Sequence, residues 1–64
     1  MKDVRFETNV RVEGKNINAD GFYRIDKNNN LIYFQYNTDE KLTNYGRIYC
    51  DSLISNHISN LRNI

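Results

Sequence analysis

The chain has 64 residues, 39% of them hydrophobic and 27% charged, with nine basic and eight acidic side chains and a net charge of +1. A chain this short is one domain that buries only about 60% of its unfolded surface, so it has little room for an enzyme-sized pocket. The near-neutral balance gives no field that would gather nucleic acid or an anionic membrane, and the longest apolar run, residues 31–34, is far below the roughly 18 residues of a membrane span.

The N-terminus, Met1-Lys2-Asp3-Val4-Arg5, lacks the apolar stretch of a signal peptide, and Cys50 is the only cysteine. A cytoplasmic protein with no disulfide is the expectation.

Residues 3–13 alternate without a fault. Val4, Phe6, Thr8, Val10 and Val12 point one way, and Asp3, Arg5, Glu7, Asn9, Arg11 and Glu13 the other, as in a strand with one buried face. The next residues, Glu13-Gly14-Lys15-Asn16, suit a type II′ turn with Gly14 at its first central position. That turn places Val12 opposite Ile17, Val10 opposite Ala19, Phe6 opposite Tyr23 and Val4 opposite Ile25. Gly21, inside the second strand, marks a bulge or a close backbone approach.

A second hairpin follows over residues 21–36, where aromatic and β-branched runs flank Asp26-Lys27-Asn28-Asn29-Asn30. With Asn28 and Asn29 at the turn centre, Ile25 faces Ile32 and Tyr23 faces Phe34, and Tyr36 shares their side. Phe22, Arg24, Tyr33 and Gln35 take the other side. Both turns, assigned separately, put Tyr23 and Ile25 on the same face, which a one-residue slip would not allow.

Residues 37–41 read as a polar loop. Residues 42–50 fit a fourth strand or the start of a helix, with Leu42, Tyr45 and Tyr49 spaced three and four apart. Gly46 would cost an interior helix position about 1 kcal/mol relative to Ala, which favours the strand. Asp51 and Ser52 are good N-caps, and beyond them Ile54, Ile58 and Leu61 form one stripe, with Leu53 and His57 beside it. The fold expected is α+β: an antiparallel meander of three or four strands with a C-terminal helix packed on one face. The helix covers Phe6, Tyr23, Ile25, Ile32 and Phe34, with Phe34 central to the core. A small all-β barrel is the alternative. The expected outline is similar in shape to the small DNA-binding domains at the N-termini of some integrases, without a shared motif, and shape does not establish function.

No motif for catalysis, metal or cofactor is present. Cys50 and His57 would make a nucleophile and base only if the fold brought them together. The carboxylates are scattered over wet faces and turns, and no pair of them is placed in an apolar pocket. Residues 26–30 lack the later Gly and the terminal Glu of a calcium loop, and the glycines form no phosphate-binding loop.

The five tyrosines are many for this length. Phe22, Arg24 and Tyr33 share the wet face, and Tyr and Arg are enriched at protein-binding hot spots. Aromatics interleaved with arginines also stack unpaired bases, but here Arg5 and Arg11 alternate with Asp3, Glu7 and Glu13. A second candidate surface is the far end of the first hairpin, where Val10, Val12 and Ile17 project beyond the third strand. A helix about 18 Å long need not reach them. The first strand is also a sheet edge able to accept another strand. The functional expectation is a small non-enzymatic protein-binding module, an inhibitor or regulatory subunit that docks on another protein or self-associates, as a homodimer, through the first hairpin. A sheet-based nucleic-acid-binding domain is the alternative.

Overall fold

Three strands and one helix follow in order, β1 (Lys2–Val12), β2 (Lys15–Ile25), β3 (Leu31–Thr38) and α1 (Asn44–Arg62), in a computed structural model that describes residues 1–62. The strands form an open antiparallel sheet in the order β1-β2-β3. The helix packs on one face of it, so the fold is an α+β meander and not a barrel.

The first hairpin closes one turn position earlier than the type II′ reading places it. Glu13 and Gly14 are its central residues, both with positive φ (53° and 76°), which is a type I′ turn. Val12 therefore pairs with Lys15, Val10 with Ile17, Phe6 with Gly21 and Val4 with Tyr23. The shift is of two residues, and a shift of two leaves every side chain on its expected face.

The second hairpin closes through three residues. Asn29 N donates to the Asp26 carbonyl at 3.0 Å, Asp26 N donates to the Asn30 carbonyl at 3.0 Å, and Asn29 is left-handed at φ 67°. This is a type I turn over Lys27 and Asn28 followed by a left-handed residue, not a two-residue turn at Asn28 and Asn29. The Asp26 carboxylate accepts the amides of Asn28 at 2.8 Å and Asn30 at 2.9 Å and so folds the turn from within. The extra loop residue moves the pairing by one, and Ile25 faces Leu31 instead of Ile32. A β-bulge at Arg24/Ile25 moves it back, so Tyr23 faces Phe34 as the sequence predicts. Ile32 is the residue pushed out, and it is 48% exposed.

The helix is the largest correction. Residues 42–50 do not form a strand: Thr43 caps a helix that begins at Asn44, and Asp51 and Ser52 lie inside it. Thr43 Oγ1 accepts the Gly46 amide at 3.0 Å and donates to Glu13 Oε1 at 2.7 Å, while the Thr43 carbonyl accepts the Arg47 amide at 2.8 Å. A Cβ on residue 46 would strike Glu13 Oε1 and lie 3.2 Å from Thr43 Oγ1. Glycine here makes room for the carboxylate, which outweighs its poor helix propensity.

At 19 residues the helix is about 29 Å long and runs the length of the sheet. Its far end meets the second turn: Asn29 Nδ2 donates to the Arg62 carbonyl at 3.1 Å, and Arg62 Nη1 donates to the Asn29 carbonyl at 3.2 Å.

The core consists of Phe6 and Val12 from β1, Ile17, Ala19 and Tyr23 from β2, and Cys50, Ile54 and Ile58 from α1. Val12 and Ile17 are 1% and 0% exposed, which corrects their placement on a projecting surface. The longer helix covers them. Val10 is partly buried against the same core. Phe34 is peripheral, half-buried and stacked on Tyr36 at 6.2 Å between centroids.

Gly21 marks a close approach and not the bulge. A Cβ there would run into the Gln35 carbonyl and the Tyr36 backbone, neither of which can swing aside. Gly21→Ala is expected to cost about 1–3 kcal/mol in chemical denaturation, the scale of overpacking a well-fitted site. Thr43→Ala is expected to cost about 1 kcal/mol by the same measurement through loss of the cap, and a neutral result would mean that Glu13 alone holds the helix start.

Candidate functional site

Alternation along the strands sends two sets of side chains to opposite faces. The helix covers one, and the other carries Asp3, Arg5, Phe22, Arg24, Tyr33 and Gln35. Pairing sets Arg24 directly across from Tyr33 and Phe22 across from Gln35, so Phe22 and Tyr33 are diagonal neighbours. Their rings meet edge to face at 5.9 Å between centroids and 76° between planes. The Arg24 guanidinium carbon lies 4.9 Å from the Tyr33 ring centroid, within cation–π range.

Arg24 is also held from the other side. Its Nε and Nη2 donate to the two carboxylate oxygens of Asp3 at 2.6 and 3.1 Å, a two-point clamp that keeps the guanidinium plane in place. That hydrogen bond holds the Asp3 carboxyl below the usual carboxylate range and raises Arg24 above its ordinary value. Arg5 pairs with Asp20 at 3.0 Å on the same face. Ile32, expelled by the bulge, is exposed on the strand that carries Tyr33. The face thus holds a clamped aromatic–arginine cluster, and the charges of Arg5 and Arg24 are met by Asp20 and Asp3.

Of the six residues singled out in the sequence, the structure brings Phe22, Arg24 and Tyr33 together. Val12 and Ile17 are core, and Val10 lies on the helix-covered face. Cys50 and His57 do not meet: seven residues on one helix separate them by about 10 Å along the axis. Cys50 is buried, and the His57 ring lies against Phe6 at 6.2 Å.

One exposed cluster escaped the sequence reading. Tyr45, Ile48 and Tyr49 are 86%, 68% and 54% exposed on the outer side of α1. Tyr45 and Tyr49 share with Leu42 a three- and four-residue spacing, but Gly46 favours a strand on local propensity alone.

Tyr36 ties β3 to the middle of the helix by donating its hydroxyl to the Asp51 carboxylate. Partial burial, then the bond to Asp51, raises the Tyr36 hydroxyl well above its ordinary value. Among the described residues, no helix is long and apolar enough to cross a membrane. No known protein family, curated protein or solved structure matches the chain.

Because the folded state raises the Tyr36 value, the associated stability is complete below the ordinary tyrosine value of 10.0 and is lost as pH climbs beyond it. Denaturation series on either side of that value are expected to show a steeper alkaline loss in the native sequence than in Tyr36→Phe. Parallel slopes would mean that the burial of Tyr36 and its bond to Asp51 do not both persist in solution.

Proposed function

We propose that this chain is a non-enzymatic protein-binding module of the cytoplasm, an inhibitor or regulatory subunit that docks on another protein through the sheet face the helix leaves bare. The observation that carries the reading is the Phe22–Tyr33–Arg24 cluster. Its residue types are those of interface hot spots, and clamping them in advance reduces the entropy lost on binding. Nucleic acid is the rival partner. The ion pairs of Arg5 with Asp20 and Arg24 with Asp3 argue against it, since a nucleic-acid binder needs cations free to neutralise phosphates.

Affinity capture from the native cell, with the partner identified by mass, tests the proposal. The bound protein is then titrated with the native chain and with Arg24→Ala/Tyr33→Ala. Loss of about 2 kcal/mol or more, roughly a thirty-fold drop in affinity, is the expected result for a hot-spot pair. Equal affinity, with the variant still folded by circular dichroism, would remove this face as the site. Salt-dependent binding of a single-stranded oligonucleotide that the variant loses would favour the rival partner.

A further inference from the structure

We infer that the free edge of β1 is a self-association surface, on which a second copy of the chain pairs antiparallel about a two-fold axis near Asn9 to form one continuous six-stranded sheet. This surface is distinct from the bare sheet face.

The edge is intact. All eleven residues of β1 pair with β2 in unbroken register, and the chain has no proline. The bulge and the proline that commonly blunt an edge strand are both absent from it. In an antiparallel hairpin closed by two residues, the pair flanking the turn exchanges its backbone hydrogen bonds, and bonded and non-bonded pairs alternate from there. Val12 flanks the turn, so the even-numbered residues of β1 bond to β2. The amides and carbonyls of Arg5, Glu7, Asn9 and Arg11 point outward from the sheet edge.

The charge pattern along that edge is self-complementary. Antiparallel pairing about Asn9 sets Glu7 opposite Arg11 of the second copy twice, with apolar-side pairs of Thr8 with Val10 and Phe6 with Val12. Pairing about Thr8 would oppose Arg5 to Arg11, and pairing about Arg5 would oppose it to itself, and like charges directly opposite destabilise a sheet. Pairing about Phe6 also matches charges, as Arg5 with Glu7, and the helices decide against it.

The fully buried strand residues belong to β1 and β2, which places α1 above that pair. Strands lie about 4.8 Å apart, so two such helices would stand about 10 Å apart across the axis, the separation of packed helices. Asp51 faces β3 through Tyr36, and Tyr49, two residues away and about 200° around the helix, takes the flank toward the β1 edge. Glu13 lies beside Gly46 and Phe6 beside His57, which sets Asn9 beneath the turn at Leu53. An axis at Asn9 brings Tyr49 against Asn56 of the second copy, whereas an axis at Phe6 carries Tyr49 past Arg62, the last described residue of α1.

Sedimentation equilibrium of four proteins tests the inference: native, Glu7→Arg, Arg11→Glu and the double exchange. Both positions are exposed and outside the core. The native chain is expected at twice its sequence mass at high concentration, each single variant at its sequence mass, and the double exchange back at twice the mass. In the unmodified protein, amide exchange at Glu7, Asn9 and Arg11 should slow as concentration rises. A native chain that stays monomeric at every concentration overturns the inference and leaves the edge to a strand from another protein. Single variants that dimerise like the native chain, or edge amides whose exchange ignores concentration, overturn it as well.

Discussion

The fold depends on a helix held at both ends by the turns of two hairpins. The first four amides of any helix lack partners within it, and the N-terminal end carries partial positive charge. The first turn of α1 contains no acidic residue of its own. Glu13 supplies the carboxylate from thirty residues upstream, through Thr43. At the other end, Asn29 and Arg62 exchange hydrogen bonds. Glu13 and Asn29 are also the two non-glycine residues with positive φ among those described. Such a backbone costs of order 1–3 kcal/mol where it is strained, most for a residue such as Glu, and it persists where surrounding contacts offset it. The caps at the helix ends are those contacts.

This arrangement explains how a segment with poor intrinsic helicity remains a helix over 19 residues. Ser and Asn favour competing local hydrogen bonds, and Gly46 adds backbone freedom. Isolated helices of this composition are marginal in water, and packing of an apolar stripe has to supply the difference. Gly46, Cys50, Ile54 and Ile58 form the buried stripe, and they close over Val12, Ile17 and Ala19 at one end of the sheet and Phe6 and Tyr23 further along.

A single helix can cover only one face of a three-stranded sheet. The consequence for function is the opposite face, where a β-bulge that restores the register also expels Ile32 on the strand that bears Tyr33. The bulge serves the core, since without it Phe34 and Tyr36 would turn away from the helix. The exposed isoleucine is a by-product of that demand. The edge of β1 is left open for the same reason: no further strand follows β3 among the described residues, and the helix lies above the sheet and not beside it.

The sequence by itself determined which side chains share a face. Period-two alternation in β1, β2 and β3 is a local property of the extended backbone, and it survived errors in both turns because one was a shift of two residues and the other was cancelled by a bulge. The grouping of Phe22, Arg24 and Tyr33 was legible for that reason. Tertiary structure decided the turn types, the length of the helix and the fate of Val12 and Ile17. Glu13 holds a positive φ in the first turn while a threonine thirty residues away binds its carboxylate, and Gly46 belongs in a helix because that same carboxylate occupies the space of a Cβ. Propensity weighs each residue against its neighbours in the chain, so it counted Gly46 as a breaker and could not register a partner that arrives only when the sheet has formed.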